Sequence, residues 1–148
     1  MFVHAELVID APLRHTYNAL IDFNSFSRWS PRFSNSGYLG ISDDGRPQAQ
    51  NDIEGCVLFF CKKVERVMLL TLNEPDYIGA EADLDRSDVL YGLEQWWLKA
   101  DGDTTYVTYE HEIEFEFWIP PVVGVWALRR ALYRDGMKAA LKVESMVH

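Results

Sequence analysis

The segment Val107–Phe117, with the sequence VTYEHEIEFEF, is the clearest guide to the fold. Apolar side chains and one histidine alternate with threonine and four glutamates. Successive side chains of a β-strand point to opposite faces of its sheet. The segment therefore predicts a long strand with one face against the core and one carboxylate-rich face in water.

Helical signals follow an initial strand predicted at residues 2–9. Asp10 can cap a helix and Pro12 suits its first turn, so Pro12–Asp22 is predicted to be a short amphipathic helix. A second short helical piece is predicted at Ser25–Trp29, ending before Pro31. The chain thus begins with one strand and two short helices.

Strands are predicted through the middle of the chain. The β-rich runs are Phe33–Ser42, Cys56–Cys61, Val64–Leu72, Tyr77–Leu84 and Val89–Ala100. Residues 46–54 are polar and are predicted to form a loop, whereas Asp101-Gly102 predicts a tight hairpin turn. Cys56 and Cys61 would point to opposite faces of one extended segment, which disfavours a disulfide between them.

A long C-terminal helix is predicted from Val122 to Met146, after Pro120-Pro121. Its basic residues are expected to lie mostly in water. Its apolar residues form two adjacent seams, Val125, Leu128, Leu132, Gly136, Ala139 and Val143 in one, and Val122, Trp126, Tyr133, Met137 and Ala140 in the other. Antiparallel strands with segregated helices define the α+β class, here as a single domain over 1–148.

Composition narrows the possible functions. The chain has 148 residues and a net charge of −9, which disfavours nucleic-acid binding. The N-terminus lacks signal-peptide features, and no apolar run is long enough for a membrane span, so we predict a cytoplasmic protein. The histidines at 4, 15, 111 and 148 and the cysteines lack metal-ligand spacing, and nucleotide-binding loops are missing. We therefore expect no metal and no cofactor; the oligomeric state stays open.

His111 is the main candidate for a functional side chain, because it lies on the apolar face of the predicted strand. It could transfer a proton, hydrogen-bond a ligand oxygen, or simply be a core histidine satisfied by a neighbour. Tyr109 shares its face, whereas Glu110 and Glu112 point the opposite way. His111 and Tyr109 are thus the weak catalytic candidates. The predicted ligand-binding residues are Trp29, Trp97, Tyr109, His111, Phe115, Val122, Trp126 and Tyr133.

Several stretches resemble the polyketide cyclase/dehydrase and lipid-transport proteins of the START-like (SRPBCC) superfamily. They are Ile9-Asp10-Ala11-Pro12 with Tyr17, Leu20 and Asp22, Trp29-Ser30-Pro31, Trp97 with Asp101-Gly102, Thr105 and Val107, and Ile119–Gly124 with Arg129 and Arg130. The resemblance implies a helix-grip fold, in which a curved antiparallel sheet wraps around the C-terminal helix and encloses a hydrophobic cavity. It implies no universal catalytic residue. Of the adjacent Trp96 and Trp97, it favours Trp97 as the one facing the cavity.

Three functions remain open. The first is a carrier or sensor of an apolar molecule such as a lipid, quinone or polyketide-like compound. The second is a cyclase or dehydratase that uses His111, Tyr109 or an arginine. The third is an interaction protein like the ribosome-associated toxins of the superfamily. The sequence reveals no paired acid and base, which favours binding over catalysis, and the acidic surface weakens the ribosomal alternative.

Overall fold

The computed structural model describes residues 1–25, 28, 33–57, 60–118 and 122–146. Within these ranges, side chains are described except at 33, 34, 55–57, 60, 123–125, 128, 132, 135 and 136. Trp29 and most of the predicted second helix, Ser25–Trp29, lie outside the described residues. So do the side chains of four predicted seam residues of the C-terminal helix, Val125, Leu128, Leu132 and Gly136.

The described elements follow the predicted order of strand, helices, strands and a final helix. They are β1 (Phe2–Ile9), α1 (Leu13–Leu20), β2 (Phe33–Ile41), β3 (Pro47–Val57), β4 (Phe60–Val64), β5 (Val67–Asn73), β6 (Tyr77–Ala82), β7 (Val89–Asp101), β8 (Thr104–Phe115) and α2 (Val123–Ser145). Short 3-10 helices occupy Phe23–Ser25 and Leu84–Arg86. The predicted C-terminal helix is therefore confirmed to within one residue at each end.

One curved sheet contains all the described strands. Its strand order is β1-β8-β7-β6-β5-β3-β2, with β4 also paired to β3. Every described pairing is antiparallel, which confirms the predicted α+β class. The final hairpin closes at Asp101 and Thr104, and Gly102 in its turn has a φ of +61°, a conformation that glycine adopts without steric cost.

Both helices pack on one side of the sheet, called here the inner face. Tyr17 of α1 and Val143 of α2 form one core cluster with Ile9, Leu98 and Val107 from three adjacent strands. The alternation predicted for β8 is observed, because Thr105, Val107, His111 and Ile113 are buried and the intervening glutamates at 112 and 114 are exposed. The periodicity of β8 thus places His111 on the inner face.

The second apolar seam of α2 was predicted wrongly to be buried along its whole length. Ala140 is buried, but Trp126 is 60% exposed, and Val122 and Tyr133 are similarly exposed. The helix packs on the sheet around Ala140 and Val143. At about 100° per residue, Trp126 and Tyr133 lie only about 20–40° around the helix from Ala140, so their angular position does not explain their exposure. Among the described side chains of α2, burial is instead confined to the C-terminal part of the helix.

The polar segment 46–54 forms most of β3, so its prediction as a loop is wrong. Ala49 and Asn51 are buried on the inner side of this strand, and Ala49 is the Cα partner of buried Met68. Gln48, Gln50 and Asp52 occupy the alternate positions next to them. Small and polar inward-facing residues gave β3 no apolar alternation, although its backbone pairs with strands on both sides.

The predicted strand Cys56–Cys61 is also wrong, because the chain reverses between Val57 and Phe60. Cys56 and Cys61 become directly opposite residues of the β3–β4 pair. Cys61 is disulfide-bonded, and Cys56 is the only other cysteine in the chain. The prediction of no disulfide failed because a hairpin brings together two residues that one extended strand would have separated.

No helix in the described part of the chain has the length and hydrophobicity needed to cross a membrane.

Candidate functional site

A group of polar side chains lies on the inner face, among the apolar residues of the core. The β7–β8 hairpin pairs Glu94 with His111 and Trp96 with Tyr109, so these four side chains share the inner face. Arg66, immediately before β5, approaches the group from across β6. We call Arg66, Glu94, Tyr109 and His111 the inner polar cluster.

Glu94 is the centre of this cluster. Its Oε1 accepts a hydrogen bond of 3.1 Å from the Tyr109 hydroxyl, and its Oε2 lies 3.6 Å from Nη1 of Arg66. Both charged side chains are largely removed from water. A buried ion pair of this kind is held by geometry and by additional hydrogen bonds, because desolvation offsets much of the Coulomb attraction.

Arg66 is directed inward by the alternation of Val64, Met68 and Leu70, which are buried on the same side. Only 4% of Arg66 is exposed, and its Nε donates to the Asn51 carbonyl oxygen over 3.3 Å. The intervening strand β6 presents the small side chains of Ala80 and Ala82 at this level of the sheet. These alanines leave room for the arginine to reach Glu94.

The charge states follow from burial and from these contacts. Burial raises the pKa of Glu94, but the charges of His111 and Arg66 and the Tyr109 hydrogen bond outweigh it, so the pKa lies below its ordinary value. Burial, together with the Glu94 charge, holds the pKa of Tyr109 well above its ordinary value. Glu94 is therefore ionised at neutral pH, and Tyr109 remains a hydrogen-bond donor.

His111 differs from its neighbours in the cluster because one of its ring nitrogens has no hydrogen-bond partner among the described residues. His111 is 3% exposed, and the nitrogen concerned is Nδ1. Burial lowers its pKa to about 4, with Glu94 opposing the shift and Arg66 adding to it. The ring is neutral at neutral pH and can donate or accept one hydrogen bond at each nitrogen, according to its tautomer.

We predict that His111 makes folding sensitive to acid. The pKa of His111 is lower in the folded state than in the unfolded state. Its contribution to the free energy of unfolding is therefore complete above pH 6.5 and is lost as the pH falls toward 4. At about 1.4 kcal/mol per pH unit, the loss amounts to about 3 kcal/mol. Urea unfolding across this range should show a shallower pH dependence for His111→Phe than for the wild type.

The predicted ligand-binding residues fall into two groups. Tyr109, His111 and Phe115 lie on the inner face, with Phe115 beside Phe117. Trp97 instead lies on the outer face, 37% exposed and packed beside Tyr77, so its predicted place in the cavity is wrong. Trp96 faces inward, with its ring centroid 4.3 Å from that of Tyr109. Three predicted residues have exposed side chains: Val122 just ahead of α2, and Trp126 and Tyr133 on it. Trp29 lies outside the described residues.

Glu94 and Arg66 are the site residues that were not predicted. The hairpin turn at Asp101-Gly102 contained the necessary signal, because pairing Asp101 with Thr104 requires Glu94 to lie opposite His111. Arg66 interrupts an alternating apolar series that continues at Met68 and Leu70. Glu94 thus occupies an inward position in β7, and Arg66 occupies an inward position immediately before β5.

Within the described residues, no group of three or more histidine, cysteine or acidic side chains could hold a metal ion.

Comparison with solved structures identifies the fold. A START superfamily protein from Mycobacterium smegmatis matches with a TM-score of 0.74 and 16% identity over 99% of this chain and 96% of its own. The Zhui aromatase/cyclase from a Streptomyces species matches with a TM-score of 0.73 and 13% identity over 100% and 96%. The di-domain ARO/CYC BexL matches with a TM-score of 0.69 and 16% identity, over 98% of this chain and 49% of that protein.

These matches confirm that the chain has the START-like (SRPBCC) helix-grip fold. No protein-family model matches the sequence, and neither does any curated protein. At identities this low, the structural similarity establishes the fold alone.

Proposed function

We propose that this protein binds an apolar small molecule that carries an oxygen atom, held between α2 and the inner face of the sheet. The observation that carries the proposal is the buried Nδ1 of His111, which has no partner in the described part of the chain. A buried polar atom without a hydrogen bond costs about 1–3 kcal/mol. A ligand oxygen at this position would remove that cost.

The surroundings of His111 support an apolar ligand. Trp96, Tyr109 and Ile113 lie on the same face, and Val3 is the β1 residue opposite His111. Apolar surface removed from water contributes about 25 cal/mol per Å², before the costs of association. An apolar body would therefore supply most of the affinity, while His111 would orient the molecule.

A cyclase or dehydratase activity is the second candidate, and Glu94 is the observation that favours it. The sequence suggested no acid–base pair, whereas a carboxylate, a phenol and an imidazole converge on the inner face. Two of the similar structures are also described as aromatase/cyclase or ARO/CYC proteins. Binding remains the first proposal, because an imidazole with a pKa of about 4 is poorly matched to proton transfer at neutral pH.

The test is a displacement titration with two probes of the same shape, naphthol and methylnaphthalene. Each would displace phenylnaphthylamine, a neutral dye that fluoresces in apolar sites. For the wild type, we expect naphthol to bind more tightly than methylnaphthalene. In His111→Phe, naphthol should lose about tenfold in affinity, which corresponds to about 1.4 kcal/mol for one lost hydrogen bond. Methylnaphthalene should bind almost as before.

His4→Phe provides the matched control, since it removes an imidazole from the outer face of β1. It should bind both probes with wild-type affinity. If His111→Phe binds naphthol as well as the wild type does, His111 is only a core residue. Failure of the wild type to bind either probe would count against a binding function on this face.

A further inference from the structure

From the inner polar cluster we infer the chemical class of the ligand: a neutral molecule that donates a hydrogen bond through an alcohol or phenol hydroxyl, and not a carboxylate. This inference rests on the proposed binding function and makes it more specific.

Buried hydrogen-bond acceptors around the cluster have capacity that a ligand donor can use. The Glu94 carboxylate accepts hydrogen bonds from Tyr109 and Trp96 and retains further acceptor capacity. Asn51 is 4% exposed, and its Oδ1 is a buried acceptor without a partner among the described side chains. The Tyr109 hydroxyl is already committed to Glu94. A hydroxyl group on the ligand would donate to one of these acceptors.

The charges of the cluster disfavour an anion. The Arg66 guanidinium is compensated by Glu94 at 3.6 Å, and it also donates to the Asn51 carbonyl oxygen. A ligand carboxylate beside His111 would therefore meet the negative charge of Glu94 at close range. Placing like charges together in a site strongly disfavours binding. A neutral hydroxyl avoids this repulsion and gains an acceptor.

The other cations at this end of the sheet are engaged elsewhere. The Met1 ammonium, whose charge acts on His111, donates to the carbonyl oxygen of Ile113 over 2.8 Å. Lys62 is exposed and lies over the Phe117 ring, with its Nζ 5.2 Å from the ring centroid. Arg66 is the cation within the cluster, and its charge is neutralised by Glu94.

The experiment compares naphthol, methylnaphthalene and naphthoate, the last of which is ionised at neutral pH. The wild type should bind naphthol about tenfold or more tightly than naphthoate. Glu94→Gln keeps the size of the side chain but leaves Arg66 as an uncompensated cation. In this variant, naphthoate should gain about tenfold or more in affinity. Naphthol should change only a few-fold, so the preference between the two probes should narrow or reverse.

Glu110→Gln is the matched control, because Glu110 lies on the outer face of β8, where it contacts His4. This variant should keep the wild-type preference. Circular dichroism would establish that both variants are folded. The wild-type preference tests the inference by itself if Glu94→Gln does not fold.

The outcomes separate the two proposals. The inferred ligand class would be overturned if the wild type bound naphthol and naphthoate equally. It would also be overturned if folded Glu94→Gln kept the wild-type preference for naphthol over naphthoate. In either case, binding of methylnaphthalene would still support the proposed function. Lack of binding by all three probes would overturn both proposals. Both proposals would be supported if the wild type prefers naphthol to naphthoate, if Glu94→Gln loses this preference, and if Glu110→Gln keeps it.

Discussion

Val107→Asp should abolish the folded state, or cost more than about 4 kcal/mol of unfolding free energy. Val107 has no exposed surface and lies in β8 between Leu7 of β1 and Leu98 of β7. An aspartate there would be an unpaired charge in the cluster that joins the sheet to both helices. Such burial is among the most destabilising effects of a single substitution. Urea denaturation monitored by tryptophan fluorescence would measure the loss.

Val8→Asp is the matched control, because it makes the same substitution on the outer face of β1. Val8 is 64% exposed, and the new charge would remain in water. We expect a change within about 1 kcal/mol, the range of strand propensities. Similar denaturation midpoints for the two variants would contradict the assignment of inner and outer faces.

Arg66→Met should cost about 3–5 kcal/mol, because it leaves the Glu94 carboxylate buried without its cation. Arg14→Met, at an exposed ion pair with Glu74, should cost about 1 kcal/mol or less. A double variant, Arg66→Met with Glu94→Gln, should recover much of the lost stability, since it removes both charges. If Arg66→Met alone proves as stable as Arg14→Met, the ion pair has little importance for folding.

The pH dependence of stability should be weaker in Arg66→Met than in the wild type. In the wild type, the lowered pKa of Glu94 contributes stability above the ordinary carboxyl range, and this is lost in acid. Without Arg66, one of the interactions that oppose the effect of burial is removed, so the pKa of Glu94 should be higher than in the wild type. The variant should therefore gain less stability than the wild type as the pH rises from the ordinary carboxyl range toward neutrality. Denaturation at mildly acidic and neutral pH would reveal the difference.

The long strand and the C-terminal helix could be predicted because each has a strong hydrophobic period. In β8 the alternation is uninterrupted, so His111 could be assigned to the inner face from the sequence. In α2 the period and the absence of proline defined the length of the helix. The exposure of Trp126 and Tyr133 could not be foreseen, because it depends on which part of the helix contacts the sheet.

Other features depend on pairing between strands, which local sequence encodes weakly. The inward residues of β3 include Ala49 and Asn51, so this strand has no apolar signature. Trp96 and Trp97 are chemically equivalent neighbours, and only the register with β8 determines which one faces inward. The partnership of Glu94 with His111 follows from that register as well, whereas its contact with Arg66 requires the order of β5, β6 and β7 in the sheet.

The turn at Gly102 constrains how this protein can change by insertion or deletion. The strand register set by the pair Asp101 and Thr104 places Glu94 opposite His111, seven residue pairs along the hairpin. That separation is about 24 Å at 3.4 Å per residue. Gain or loss of one residue at the tip would shift the register and move one partner to the opposite face. Descendants of this sequence should therefore tolerate substitutions in the turn more readily than changes in its length. An insertion would be tolerated only with a deletion elsewhere in the hairpin that restores the strand register.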